Sequence, residues 1–324
     1  MRRILVVADC VGPGLDDSCW ELLTAARTLA GAGGRVAAAV LGHGVGALAS
    51  ELAGGYDEVF AFDDPRLVDP DGEGDALALE PLIARGGFAA ILLPHTNRGI
   101  DLAPGLSVLA GVPLLADCLA LAWDGDALAG TRTVYGGKVH ARVVAAAGVK
   151  GAMATVRGGA FPAAAHGAAG GAVKAEALPA GFAPRRHAIR TVAPAPGDVD
   201  ISQAELLVAV GRGIEDEENL GIVRELAAAL GAELCCSRPV VDKGWLPKSR
   251  QVGTSGVTVR PRVYVAVGIS GSFQHIGGIK GSPYLVAINK DAAAPIFGVA
   301  DVGIVGDLFE VVPALEAAVR KAKS

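Results

Sequence analysis

The residues able to do chemistry cluster where apolar runs end. In the stretch PRVYVAVGISGSFQHIGGIKGSPYLVAINKD, Pro261 to Asp291, a short β-branched run from Val263 to Val267 is followed at once by Gly268, Ser270 and Gly271. Glycines at the carboxyl end of a strand let backbone N–H groups approach a phosphate closely, and the positive end of a following helix favours its charge. Gln274 and His275 open the next turn, where they could reach a ligand lying across the strand ends. Tyr284 to Ile288 reads as the next buried strand, with Asn289-Lys290-Asp291 as its polar exit. The arrangement reads as a dinucleotide site.

Other residues could face the same ligand. Arg238, just after an apolar run, carries a guanidinium able to stack on a ring system or pair with a phosphate. Gln251 to Gly256 is a glycine-containing loop with hydroxyls at Thr254 and Ser255. On the residues alone, plainer readings stand beside these: a surface ion pair for Arg238, a simple turn for Gln251 to Gly256, a structural histidine for His275. Asn289-Lys290 does not extend to guanine-nucleotide recognition, because the chain has no G-x-x-x-x-G-K-[ST] loop. His95 to Asp101, HTNRGID, follows a buried strand and precedes a helix, a second good geometry for an anion.

These residues need a sheet to position them. From Ile4 to about Pro113 short apolar runs alternate with helical patterns, the βαβ rhythm of a parallel sheet. Strands are expected at Ile4 to Ala8, Arg35 to Leu41, Glu58 to Phe62 and Ala89 to Pro94. After Pro113, four runs (Leu119 to Trp123, Leu128 to Val134, Lys138 to Ala147 and Ala152 to Val156) read as an antiparallel extension with Asp-Gly and Gly-Gly turns. Ala160 to Pro196, rich in Ala, Gly and Pro, reads as a linker or irregular crossing. A second βαβ rhythm starts at Ala204 to Val210. Glu215 to Glu218 fall at the first turn of the helix that follows, suiting the positive end of its dipole, and Val311 to Lys323 reads as a final helix.

The 324 residues are enough for two domains, and 51% of them are hydrophobic. With 19% charged residues and a net charge of −5, no basic field exists to hold nucleic acid. The apolar run after Met1-Arg2-Arg3 stops at Asp9, too short for a signal peptide, and no run approaches the roughly 20 residues of a membrane helix. The five cysteines lack a C-x-x-C pair, so neither a disulfide framework nor a zinc site is expected. Adjacent Cys235 and Cys236, ending an apolar strand, read as small core residues.

The stretch from Pro261 to Asp291 resembles the carboxyl-terminal FAD domain of the electron transfer flavoprotein α subunit. The resemblance continues upstream through SRPVVDKGWLP (Ser237 to Pro247) and QVGTSG (Gln251 to Gly256), and downstream through APIFGVADVGIVGDLFEVVPAL (Ala294 to Leu315). The amino-terminal part resembles the same family's first domain, less specifically. The resemblance implies an α/β fold of two domains, each with a mostly parallel sheet flanked by helices. Residues 1–196 would pair with a β subunit, and residues 197–324 would form a Rossmann-like FAD-binding domain.

It also implies roles. Arg238 lies over the flavin and favours its anionic reduced forms. Ser255 takes the position whose hydroxyl bonds the flavin's central-ring nitrogen, in a loop where Gln251, Val252 and Gly253 also line the cofactor. Many family members have Gln-Thr where this chain has Thr254-Ser255, so the donor survives at Ser255 while the amide at 254 is lost. Ser270 falls to the diphosphate, flanked by Gly268, Ile269 and Gly271. His275, beside Gln274, falls to the pyrimidine-ring carbonyl, and imidazole suits a hydrogen bond there near physiological pH. Asn289 and Asp307 fall to the adenosine half, with Leu308 adjacent; Asp307 equally suits capping of the last helix. The His95 segment would face the partner subunit and stay cofactor-free. Tyr135-Gly136-Gly137-Lys138 resembles a family motif for which fold reasons suffice.

The implied function is that of a cytoplasmic redox carrier with FAD as cofactor and with neither catalytic residues nor metal ligands of its own. It would take electrons from flavin dehydrogenases, such as acyl-CoA dehydrogenases, and pass them to a quinone reductase or similar acceptor. Two alternatives stay open. One is the α subunit of an electron-bifurcating flavoprotein using NADH, in which the β subunit holds a second FAD. The other is a non-redox nucleotide-binding protein on the same fold.

Overall fold

The computed structural model describes residues 1–11, 13–135, 139–146, 148–149, 151–167, 170–189, 199–281 and 283–323. The chain divides into two compact units, Met1–Thr191 and Val192–Ser324. The break expected between residues 196 and 197, like Gly136-Gly137-Lys138, lies outside the described residues.

The first unit contains strands β1 (Arg3–Val7), β2 (Cys10–Val11), β3 (Gly14–Leu15), β4 (Arg35–Gly42), β5 (Glu58–Asp63), β6 (Ala90–Pro94), β7 (Leu114–Asp124), β8 (Ala127–Val134), β9 (Val139–Val144), β10 (Ala152–Val156) and β11 (Ala172–Ala175). Its helices are α1 (Ser18–Ala30), α2 (Gly46–Leu52), α3 (Gly72–Gly86) and α4 (Asn97–Ala110). Among the described residues the main sheet runs β11-β5-β4-β1-β6-β10-β7-β8-β9, with β2 and β3 as a separate hairpin. Ile4 and Val6 of β1 pack with Trp20, Leu23 and Leu29 of α1 on one face. Leu5 and Val7 pack with Leu79, Leu82, Leu102 and Leu106 of α3 and α4 on the other. A central strand buried on both faces is why β1 reads as a continuous apolar run.

Two expectations for this unit are corrected. Ala152–Val156 is not part of the antiparallel extension. As β10 it pairs parallel with both β6 and β7, returning the chain to the middle of the sheet after the β7-β8-β9 meander. All five of its residues are buried, the mark of a two-face-covered strand rather than of an edge hairpin. The stretch read as irregular also contains a strand: β11 lies parallel to β5 at the sheet edge. Every residue of β11 is exposed, so backbone pairing builds it and no apolar alternation marks it.

The second unit contains β12 (Leu206–Val210), α5 (Leu220–Leu230), β13 (Glu233–Cys236), α6 (Arg238–Asp242), β14 (Val263–Val267), α7 (Phe273–Ile276), β15 (Tyr284–Asn289), β16 (Val302–Val305) and α8 (Leu308–Lys323). The sheet is all parallel in the order β13-β12-β14-β15-β16. Val208, Val210, Val265 and Val267 face α5 and α8 through Val223, Leu226 and Val312. Leu207, Ala209, Tyr264 and Ala266 face loop residues Val252, Val259, Ile269 and Ile296. The acidic run is corrected as well: Glu217–Asn219 form a 3₁₀ turn before α5, whose first turn holds no acidic residue. Glu215 sits at φ 70° and pairs instead with Lys290 at 3.1 Å.

Candidate cofactor site

In the second unit the strands end in one row. Val210 is in register with Cys236 and Val267, Val267 with Ile288, and Ile288 with Ile304. The chain leaves β12 for β13 on one side and later fills β14 on the other, so the sheet has its topological switch point between β12 and β14. Ligands of open parallel sheets bind outside the carboxyl ends at such a point. Gly211 follows β12 and Gly268 follows β14. A side chain on Gly211 would come within 2.3 Å of the Gly268 carbonyl oxygen, and Gly268 itself has φ +63°. The two turns are therefore held together backbone to backbone. The Gly211 N–H donates to Val267 O at 2.8 Å, and the Gly213 N–H to Gly268 O at 3.1 Å.

Two loops close over this row. After β13 the chain passes through α6 to Gln251–Gly256, where the Val252 N–H donates to Cys236 O at 2.9 Å and the Thr254 N–H to Gln274 O at 2.8 Å. Gly253, at φ +145°, passes the backbone of Gln274 so closely that a Cβ would stand 3.0 Å from its oxygen. The loop after β14 carries Ser270, whose carbonyl accepts from the Ile296 N–H at 3.0 Å. The sequence-predicted residues are thus gathered at one end of one sheet. Thr254, Ser255, Ser270, Gln274, Arg238 and Asp307 are exposed, whereas Gln251 and His275 are buried. The side chains of Val252, Ile269 and Leu308 belong to the hydrophobic core, which leaves their backbones for a ligand.

Several of these side chains already have partners. Arg238 lies 3.4 Å from Asp242 one helical turn on, with both side chains mostly exposed. Asn289 donates to Ile269 O and accepts from the Asp291 N–H, each at 2.9 Å, and so ties the exits of β14 and β15 together. Asp307 accepts from the Phe309 N–H at 2.9 Å, the capping reading for α8. Among the described residues the side chains of Thr254, Ser270 and Gln274 make no hydrogen bond.

His275 is the most constrained group. It is 4% exposed; its Nε2 lies 2.8 Å from the Tyr264 hydroxyl, and its Nδ1 makes no hydrogen bond of good geometry among the described residues, although the Val252 backbone acts on the ring. Burial, opposed by the Val252 backbone, lowers its pKa to about 4, so the ring is neutral at pH 7. Tyr264 went unnoticed in the sequence. The available signal was a lone tyrosine within a strand otherwise of valine and alanine, since a buried hydroxyl needs a partner. Cys235 lies 3.9 Å beyond it. Burial raises the pKa of the Cys235 thiol and pushes that of Cys236 up to about 12, so both are inert core groups at neutral pH.

The first unit has its own switch point, between β1 and β6, and fills it with its own side chains. Thr96 caps α4 and donates to Asp9 at 2.5 Å. Arg98 donates to Asp75 at 2.8 Å, and Asp75 is 2% exposed. The ring of His95 bonds Thr155 at 2.9 Å. The anion geometry read from HTNRGID is thus neutralised by carboxylates.

The second unit fits FAD. It offers close-approaching glycine turns, hydroxyls at Ser255 and Ser270, and a buried imidazole nitrogen with no protein partner among the described residues. The family model for the electron transfer flavoprotein FAD-binding domain matches residues 200–280, and that for the electron transfer flavoprotein domain matches residues 4–180. The electron transfer flavoprotein subunit alpha of Bacillus subtilis is 33% identical over 317 residues, covering 97% of this chain and 96% of its own. That of Methylophilus methylotrophus is 35% identical over 320 residues, covering 98% and 99%. Subunit LctC of the lactate dehydrogenase (NAD(+),ferredoxin) of Acetobacterium woodii is 34% identical over 319 residues, covering 97% of this chain and 76% of its own. Together with the parallel sheets and the strand-end site, these similarities show that the chain belongs to the electron transfer flavoprotein α-subunit family, whose FAD-binding domain is its second unit.

Proposed function

We propose that the chain is a cytoplasmic electron carrier that holds FAD across the carboxyl ends of β12, β14 and β15. In this reading residues 197–324 are the cofactor domain and residues 1–196 pair with a β subunit. The observation that carries it is the single row of strand ends bearing Ser255, Ser270 and the Nδ1 of His275, which has no hydrogen-bond partner among the described residues. Bound FAD supplies the electron acceptance and release. The protein's residues bind and tune it: backbone N–H groups of Ile269 to Gly271, with the Ser270 hydroxyl, take the diphosphate, the Gly268 N–H being held by Ile288 O. Ser255 donates toward the central ring, and His275 donates a neutral N–H toward the pyrimidine carbonyl. Arg238 places a cation beside the ring, and Asn289, already fixed by Ile269 and Asp291, shapes the adenosine end. Electrons come from flavin dehydrogenases and leave to a quinone reductase or similar acceptor. No described helix is long and apolar enough to cross a membrane.

A second reading, the α subunit of an electron-bifurcating complex, is favoured by the similarity to the lactate dehydrogenase (NAD(+),ferredoxin) subunit of Acetobacterium woodii. Co-purification with the β subunit, followed by a visible spectrum and cofactor counting, tests both. One FAD per heterodimer supports the simple carrier and two support bifurcation. A colourless heterodimer that takes up no added FAD would overturn both.

A further inference from the structure

We propose that Tyr264 is a positioning residue that fixes the tautomer of His275, donating its phenolic hydrogen to Nε2 so that the ring carries its own proton on Nδ1. Tyr264 is fully buried among Leu207, Ala209, Ala266 and Ala287. Its hydroxyl has two polar neighbours among the described residues, His275 Nε2 at 2.8 Å and Cys235 Sγ at 3.9 Å. A phenol has one hydrogen to give. An imidazole nitrogen is a good acceptor and thiol sulfur a weak one, so the nearer nitrogen takes it. The Cys235 S–H then points at the phenol oxygen, and the donors run in one direction from Cys235 through Tyr264 to His275. The reverse direction would spend the tyrosine hydrogen on sulfur and leave a bare lone pair on buried Nδ1. Burial disfavours the charged form of each of the three groups, so each keeps the proton count this chain requires.

In effect, an aromatic residue on the core face of β14 makes His275 a donor and not an acceptor at the site. The consequence for FAD rests on the reading that His275 meets the flavin ring; the tautomer itself does not. A ring N–H stabilises negative charge gathering on a facing carbonyl, whereas a lone pair in the same place opposes it.

The test is ¹⁵N NMR of the full chain, co-purified with its β subunit and labelled in its histidine rings. Six histidines are present, and the His275 signals are assigned by their loss in His275→Gln. The expected spectrum has a protonated, pyrrole-type Nδ1 and a pyridine-type Nε2. Tyr264→Phe should move the ring toward the Nε2–H form. The same variant should lower the preference for reduced over oxidised FAD about tenfold, which is about 30 mV for a two-electron couple. A wild-type spectrum with the proton on Nε2 overturns the proposal, and it needs no variant to fold. An unchanged tautomer in folded Tyr264→Phe also overturns it. A protonated Nδ1 that moves in Tyr264→Phe, with a potential unmoved by His275→Gln, upholds the tautomer assignment and refutes the flavin contact instead.

Discussion

Gln251 Nε2 donates to Ser255 Oγ at 3.1 Å across the turn they share. Gln251 is 4% exposed and Ser255 lies at the surface, so a buried amide orients an exposed hydroxyl. With its oxygen accepting from Gln251, Ser255 is left with a hydrogen directed elsewhere, the arrangement a donor to a ligand needs. Ser255→Ala should keep the fold and lower the FAD reduction potential by the worth of one hydrogen bond, about 0.5–1.5 kcal/mol. Gln251→Glu should reproduce that effect, because a carboxylate only accepts and would turn the Ser255 hydrogen inward. Redox titration of both variants checks the idea, and a potential in Gln251→Glu equal to that of the unaltered protein would refute it.

Ser270 and His275 lie on the same connection between β14 and β15, the first before α7 and the second within it, but should fail differently. Ser270 is exposed and its side chain is unpartnered among the described residues, while its backbone is held by Ile296. Ser270→Ala should therefore weaken FAD retention, measured by equilibrium dialysis, with a nearly unaltered potential. His275→Ala should keep FAD bound through the strand-end turns and shift its potential downward. Loss of one hydrogen bond to a charged group is worth about 1.5–3 kcal/mol. If both variants lose FAD equally, separate phosphate and ring roles are wrong.

Arg238 offers a contrast between stability and function. Its contact with Asp242 is a solvent-exposed i,i+4 pair, worth about 0.3–0.5 kcal/mol at most. Arg238→Ala should leave the thermal midpoint almost unmoved while lowering the FAD reduction potential, since it removes a cation beside developing negative charge. Asp242→Asn, which frees the guanidinium, should move the potential the other way. Equal, unmoved potentials in both would place Arg238 away from the ring.

The parts legible in the sequence were those where one short-range rule decides. Val263 to Val267, apolar throughout and followed by Gly268, reads as a buried strand with a turn at its carboxyl end, and the candidate residues Ser270 and His275 follow from that position. What the sequence hid depends on neighbours distant in the chain. Ala152 to Val156 looks the same whether it closes a meander or slots between β6 and β7, and Ala172 to Ala175 has no pattern because its exposed edge needs none. Tyr264 was hidden for a different reason: its hydroxyl acquires meaning only when α7 brings His275 to 2.8 Å.

The first unit supplies a prediction free of any ligand. Asp75 is 2% exposed, and burial raises its pKa even though the Arg98 guanidinium beside it pulls the other way. Removing the cation leaves an unpaired buried carboxyl. Arg98→Ala should cost about 3–5 kcal/mol of stability in urea denaturation, and adding Asp75→Asn should restore part of it. If Arg98→Ala costs less than about 1 kcal/mol, an exposed pair's worth, the switch-point network is not what holds β1, α3 and α4 together.

His275 also sets an acid limit on the second unit. Its pKa is about 4 when folded, and the lowering comes from burial; in the unfolded chain it returns to about 6.5. Between those values the unfolded chain binds a proton that the folded chain refuses, so stability rises with pH across this window. The contribution of the neutral ring is complete above pH about 6.5, is lost progressively as pH falls, and changes no further below about 4. The span corresponds to about 3 kcal/mol as an order of magnitude. Tyr264, bonded to the ring, and Cys235 beyond it have pKa values raised by burial and do not titrate in this range. His275→Gln removes the titrating group while keeping a polar side chain, so its FAD-free melting temperature should fall less steeply than that of the unaltered protein between pH 6.5 and 4. The carboxylates common to both proteins cancel in the difference. Parallel curves would mean that His275 accepts a proton in the folded state as readily as in the unfolded one, and the buried neutral imidazole would have to be abandoned.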